Sequence, residues 1–159
     1  MDRVTDIINH ADYIKYMNKI DEMEKERNLC HHDIHHFMGV ARIMYIINLE
    51  KGLNFDKEVI YACGLLHDIG RWKQYEDGTP HEIASADLSK DILKDCKFNE
   101  QEIDDILNAV RNHRNKENEK NSLSELTYKS DKLSRSCFKC YAKDECYWSD
   151  EKKNLKIKY

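Results

Sequence analysis

Apolar residues recur at the three-to-four spacing of α-helices along nearly the whole chain, and strand–turn–strand signals are scarce. Ile7, Ile8, Ala11, Ile14, Met17 and Ile20 make the first stripe and predict a helix over about 4–27, with the charged stretch Asp21–Arg27 as its solvated end. A second stripe runs from His36 through Val40, Ile43 and Ile47 to about Lys51, where Gly52 supplies a stop. The most apolar run, Val59 to Leu66, predicts a buried helix over 56–69. Residues 71–78 read as a polar loop. Thr79-Pro80-His81-Glu82 then predicts a helix start, with Thr79 as cap, Pro80 at the first helical position and Glu82 completing a capping box. Ala84, Ser85, Leu88 and Ile92 follow on the stripe of His81. Asn99 and Glu102 form a second capping box, ahead of Ile103, Ile106, Leu107 and Val110. A charged loop spans 115–121, and a last, weakly periodic helix covers about 124–135. The Lys-rich residues after Trp148 are expected to fray.

Polar side chains that fall on these inward stripes need a partner, because burying an imidazole or carboxylate alone is costly. His67-Asp68 closes the most apolar run, and a metal ion is one partner both can share. Within the tract His31, His32, His35 and His36, helical phase turns His36 into the core, leaves His32 a weaker second and sends His31 and His35 outward. His81 sits in a first turn, where the positive helix end favours a neutral imidazole able to bind metal. His113 continues the stripe of Val110, although a cationic His at a helix C-terminus is also an ordinary structural outcome. The pattern alone does not single out Asp131.

The 159 residues suit one domain with a sizeable core. The expected division is a single unit over 1–159, with a core of about 30–135, the N-terminal helix 4–27 and a Cys-containing tail 136–159. One Pro and 5 Gly leave little material for a turn-rich β fold. The formal net charge of −4 gives no general pull toward nucleic acid or anionic lipid. No stretch reaches membrane-span length and no signal segment is evident, so a cytoplasmic protein with reduced thiols or metal-ligating cysteines is expected. Cys137-Phe138-Lys139-Cys140 and then Cys146 give three ligands at workable spacing for zinc or an iron–sulfur cluster, one short of a closed structural zinc site. Cys63 and Cys96 read as core residues.

His36 with Val40-Ala41, then His67-Asp68, then Asp131 within Ser130-Asp131-Lys132-Leu133, resembles the H…HD…D pattern of the HD superfamily of metal-dependent phosphohydrolases. His81 and His113 match the two further histidines of its dinuclear members. The resemblance covers roughly Cys30 to Arg135 and implies an all-α bundle of five or more helices around a central metal site. It implies His36, His67, Asp68 and Asp131 as ligands of one ion, and Asp68, His81 and His113 as ligands of a second. His67 and Asp68 are then the residues expected to carry catalysis. One or two divalent ions are expected, with His-rich ligation suiting Fe, Mn, Zn, Ni or Co better than Mg. Arg71, Lys132, Arg114 and Arg135 are candidates to hold a substrate phosphate. Some nucleotidases of the superfamily carry a carboxylate soon after the HD pair, where this chain has Ile69, Gly70 and Arg71. The spacing of His81 and His113 is closer to members that hydrolyse dinucleoside polyphosphates.

The expected function is therefore hydrolysis of a phosphoester or phosphoanhydride bond in a nucleotide or related small molecule, without nucleic-acid or membrane partners. The alternative is a non-catalytic metal- or redox-responsive protein that uses Cys137, Cys140 and Cys146. The oligomeric state is left open by the sequence.

Overall fold

The computed structural model describes residues 1–159. Every regular element is helical: α1 (Asp2–Asn9), α2 (Ala11–Glu24), α3 (Ile34–Lys51), α4 (Lys57–Leu66), α5 (Arg71–Asp77), α6 (His81–Asp95), α7 (Glu100–Asn112) and α8 (Leu123–Leu133), with a 3₁₀ turn at Cys137–Lys139. No helix is long and apolar enough to cross a membrane. Helix α4 is the hub and packs against α1, α3, α6, α7 and α8. Its side chains Val59, Ile60, Ala62, Cys63, Leu65 and Leu66 are all buried, which explains why its sequence is apolar on every side.

Two glycines set how tightly this hub packs. A Cβ on Gly64 would lie 2.6–2.7 Å from the Cβ, Cα and backbone N of Ala41 on α3. A Cβ on Gly70 would lie 2.4 Å from the backbone N of Ser85 on α6, while the Gly70 N–H donates to Ser85 Oγ at 2.9 Å. Only residues without a side chain permit these approaches, and they bring α3, α6 and the end of α4 together.

Several local expectations are corrected. The helix predicted over 4–27 is broken at His10, whose backbone is extended (ψ 133). His10 Nδ1 accepts from the Asp12 N–H at 3.2 Å and so starts a second helix. The break changes the phase: Tyr13 and Ile20 face the core in α2, whereas Ile8 and Ile14 are exposed. Helix α4 begins after Asp56, which caps the Glu58 and Val59 N–H groups, and ends at Leu66 rather than Ile69. The polar loop expected over 71–78 is helix α5, since Trp72 is buried and stacks on Tyr16 of α2 with ring centroids 5.9 Å apart. Thr79 does not cap α6; its hydroxyl donates to Asp77 Oδ1 at 2.6 Å, and α6 opens after Pro80 with no side-chain cap. The Asn99–Glu102 capping box is present. Residues after Trp148 are tied back, because Asn154 is buried and its amide donates to the carbonyls of Leu133 and Arg135 at 2.9 and 3.1 Å.

Candidate metal centre

Five elements converge on one buried cluster. His36 comes from the first turn of α3, held by Asp33, which caps the His36 N–H at 2.9 Å. His67 and Asp68 lie in the turn after α4, His81 opens α6, His113 follows α7, and Asp131 lies in the last turns of α8. All six side chains are buried. His36, His67, Asp68 and Asp131 present ligand atoms within 4.8 Å of one another, and so do Asp68, His81 and His113. The structure thus brings together every residue of the predicted set. His31 and His35 are exposed, as the helical phase predicts.

Asp68 belongs to both groups, and its two oxygens divide between them. Oδ1 is 3.1 Å from His81 Nε2 and 3.4 Å from His113 Nε2, while Oδ2 is 3.5 Å from His67 Nε2. His36 Nε2 is 3.4 Å from Asp131 Oδ1. Such spacings are those between neighbouring ligands around an ion with bonds of about 2.0–2.2 Å. The far side of each ring is already engaged. His67 Nδ1 meets the Gly64 carbonyl at 2.8 Å, His113 Nδ1 meets the Val110 carbonyl at 2.6 Å, and His81 Nδ1 lies 2.5 Å from Gln74 Oε1. The two backbone carbonyls require the N–H on Nδ1 of His67 and His113, so the lone pair of each sits on Nε2 and points inward; His81 Nδ1 is faced by Arg71 Nη1 at 2.7 Å as well as by Gln74. His36 Nε2, His67 Nε2 and Asp68 Oδ1 are buried without a hydrogen-bond partner. His81 Nε2 and His113 Nε2 face each other at 3.3 Å. Converging lone pairs without protons between them are what a cation satisfies, so the residues present fit a pair of divalent ions.

The electrostatics agree in direction. Burial pushes His67 down to about 3 and His32 to about 4, and lowers His36 and His81. Burial opposes ionisation of Asp68, but His67, His113 and His81 around it hold its carboxyl well below the usual range. Asp131 is likewise held low against burial by His36, Lys132 and Arg135. His113 alone moves up, because its contact with Asp68 outweighs its burial. A neutral imidazole and an ionised carboxylate are the forms that bind metal.

These shifts fix a pH dependence for the metal-free protein. Below about 6.5 an unfolded chain protonates His32, His36, His67 and His81, which the folded chain keeps neutral, so stability falls with pH. Asp68 and Asp131 add a loss of the same sign below about 3.8. His113 runs the other way, contributing stability at low pH that is lost as pH rises through its elevated value, but it is one group against four. Chelator-treated protein should therefore lose at least about 2 kcal/mol between pH 7 and pH 5, or roughly 4–8 °C of Tm in a chain of this size. A Tm that holds or rises over that interval would contradict the assignment of neutral histidines.

Two participants escaped the sequence. Glu24 lies in the stretch expected to be a solvated helix end, yet it is 2 % exposed. It accepts from the His32 backbone N–H at 2.7 Å, pairs with His32 Nδ1 and accepts from Tyr75 Oη at 2.5 Å. His32, so held, aims Nε2 at Asp68 Oδ2, 3.6 Å away. Only a charged residue at a core-facing position of the second helix could have signalled this, and reading 4–27 as one continuous helix concealed that phase. The second is Gln74, which orients His81 from a helix that read as a loop.

The centre forms the floor of a cavity of about 870 Å³. Arg71, Arg114, Lys132 and Arg135 all line it. Arg71 lies against the His81 ring, with Nη1 2.7 Å from Nδ1, and is anchored by Gln74 Oε1 and Tyr75 Oη, both at 3.2 Å; its charge faces Asp68. Lys132 and Arg135 are both engaged with Asp131, and Arg114 lies 3.4 Å from Glu82. Arg71 is the one of the four without a carboxylate partner within 4 Å, and it lies beside the centre at His81.

A family model for the HD domain matches residues 33–136, the span that supplies all six residues. The chain belongs to the HD domain family. Membership points, in general terms, to a metal-dependent phosphohydrolase. An uncharacterised protein of Clostridium beijerinckii is 49% identical over 159 residues, the whole of both chains. Ribonuclease Y of Oleidesulfovibrio alaskensis is 27% identical over 129 residues, 81% of this chain but 23% of that one. Ribonuclease Y of Mycoplasma genitalium is 32% identical over 108 residues, 68% of this chain and 19% of that one. The chain therefore spans about a quarter or less of these ribonucleases. No solved structure gives a significant match.

Proposed function

We propose that this protein hydrolyses a phosphoester or phosphoanhydride bond of a nucleotide or related small molecule at a centre of two divalent ions. The observation that carries the reading is Asp68, a single carboxylate that faces both ligand groups from the floor of a cavity bordered by cations. Divalent ions held there supply Lewis acidity and lower the pKa of a bound water.

The chain's own residues do the rest. His36, His67 and Asp131 fix one half of the centre and His81 and His113 the other, with Asp68 between them. Backbone carbonyls and Gln74 hold three of the rings in one orientation, so little reorganisation is needed when a ligand arrives. Arg71 offers a guanidinium already held by Gln74, Tyr75 and His81, suited to an anionic phosphoryl group. A cavity of this volume accommodates a ligand of nucleotide size.

A second reading takes single-stranded RNA as substrate. The similarity to ribonuclease Y favours it, as does the far wall of the cavity, which interleaves Tyr128, Tyr147 and Trp148 with Lys129, Lys132 and Lys152. Stacking aromatics among cations suit unpaired bases on a phosphate backbone.

The test is phosphate or nucleotide release by metal-loaded protein. The substrates are nucleoside mono-, di- and triphosphates, dinucleoside polyphosphates and a short RNA oligonucleotide. Turnover of the small molecules supports the first reading, and turnover confined to RNA supports the second. Silence across the panel with metal bound would favour a non-catalytic binding role instead. On whichever substrate is turned over, Arg71→Ala should cost roughly ten- to a hundred-fold in kcat/KM with metal content intact, the value of one charge-assisted contact of about 1.5–3 kcal/mol. An unchanged kcat/KM would move the phosphate to Lys132.

A further inference from the structure

Four of the six cysteines meet in one place. Cys137, Cys140 and Cys146 of the tail line a small cavity of about 20 Å³ together with Cys30. Cys30 lies far away in sequence, in the turn between α2 and α3. Its position is fixed on both sides: Arg27 Nε donates to the Cys30 carbonyl and Arg135 Nη1 to the His31 carbonyl, each at 2.9 Å. Cys63 and Cys96 are elsewhere, inside the hydrophobic core. Cys30 is therefore the fourth ligand that the tail by itself lacks.

We propose that Cys30, Cys137, Cys140 and Cys146 form a second metal centre, a four-thiolate site for a thiophilic metal, separate from the His–Asp centre. Four thiolates from two distant segments make a closed structural site, whose occupant is a single zinc ion or an iron–sulfur cluster. The sulfurs are spread more widely than the ligand atoms of the His–Asp centre. A zinc ion would draw them inward by side-chain rotation, and a cluster would need less movement.

Two further observations point the same way. Residues 134–159 contain no regular element beyond one 3₁₀ turn, and Cys137, Ala142 and Asn154 are their only buried side chains. So small an apolar contribution does not offset the entropy of ordering the segment, and short segments of this kind are commonly held by a metal staple. The surrounding charges also suit four metal-bound thiolates. Lys143 and Lys153 line the same cavity. These cations offset the excess negative charge of such a centre.

The position gives the site a consequence. Cys30, Cys137 and Cys146 also border the large cavity above the His–Asp centre, alongside Tyr147 and Trp148. The thiolate centre thus fastens the aromatic wall of that cavity. This holds whatever substrate the cavity takes.

The experiment is metal and acid-labile sulfide analysis, with absorption spectra, on full-length protein purified without oxygen. The variants are Cys30→Ser, Cys140→Ser, Cys96→Ser and Asp68→Asn. Cys30→Ser and Cys140→Ser should each lose the same metal while keeping that of the His–Asp centre, and Cys96→Ser should lose none. Asp68→Asn should show the reverse loss, which separates this proposal from the reading of the active centre. Zinc without visible absorption identifies a single ion; iron, sulfide and a broad visible band identify a cluster. Loss of all metal in Asp68→Asn overturns the proposal. If the serine variants do not fold, alkylation of the wild type decides. Cys30, Cys140 and Cys146 should react with iodoacetamide only after the metal is removed, and immediate reaction of all three overturns the proposal.

Discussion

Asp68→Asn is expected to empty both halves of the centre at once and bring turnover to background. The amide keeps the shape of the carboxylate but loses its charge, and its nitrogen carries no lone pair to offer a metal. Asp68 is the one residue common to both ligand groups, so no other single change reaches both. Five neighbouring imidazoles would remain, His32, His36, His67, His81 and His113, all buried and without the carboxylate that His32, His67, His81 and His113 share. Loss of Asp68 should also abolish the elevation of the His113 pKa, since its contact with Asp68 is what outweighs burial. Metal per chain and product release, measured on the same preparation, check the expectation. Near-normal turnover in this variant would sink the metal-hydrolase reading.

Gly64→Val should destabilise the hub and should damage the centre from a distance. A Cβ there falls within 2.6–2.7 Å of Ala41, including its backbone N and Cα, and no side-chain rotation relieves a clash with backbone. Overpacking of a tight core typically costs about 1–3 kcal/mol, and occasionally more. At roughly 2–4 °C per kcal/mol, Tm should fall by on the order of 2–12 °C. The clash separates α3 from α4, and these helices carry the His36 and His67 rings, whose centroids are 5.3 Å apart. Metal affinity should therefore drop although no ligand has been touched. Gly39→Ala is the matched control: its Cβ would meet only Ser134 Cβ at 3.6 Å, an ordinary contact. It should be neutral, or stabilise by about 0.4–1 kcal/mol through the unfolded chain. Equal losses in the two variants would show that the close approach of α3 and α4 does not set the geometry of the centre.

Helical phase made His36 legible. A residue on the stripe of Val40, Ile43 and Ile47 has one direction to point, and the same reasoning sent His31 and His35 to solvent. His81 and His113 were legible for the same reason, since each continues a stripe whose burial is decided by its apolar members. Asp131 was not, because α8 buries Ser124, Thr127 and Ser130 alongside Leu123 and Leu126, and a stripe of hydroxyls carries no hydrophobic signal. Resemblance to a known order of residues supplied it instead. The HD dipeptide and the spacing of the histidines thus placed the chain in its family before any coordinates did.

The sequence by itself determined the class of fold and the family, and it singled out His36, the His67-Asp68 pair, His81 and His113 as polar residues on or closing apolar stripes. Those depend on local periodicity and on residue identity, which a chain displays along its length. Only the tertiary structure decided what depends on contacts between distant segments. Trp72 makes α5 a helix by finding Tyr16, which no local pattern announces. Glu24 becomes a buried partner of His32 and Tyr75 because α2 starts afresh at His10 and turns it inward. Cys30 meets the cysteines of the tail because Arg135, just after α8, ties its loop down through the His31 carbonyl. In each case the deciding free energy comes from burial or pairing with a residue remote in sequence, so the local sequence could name the participants but not the meeting.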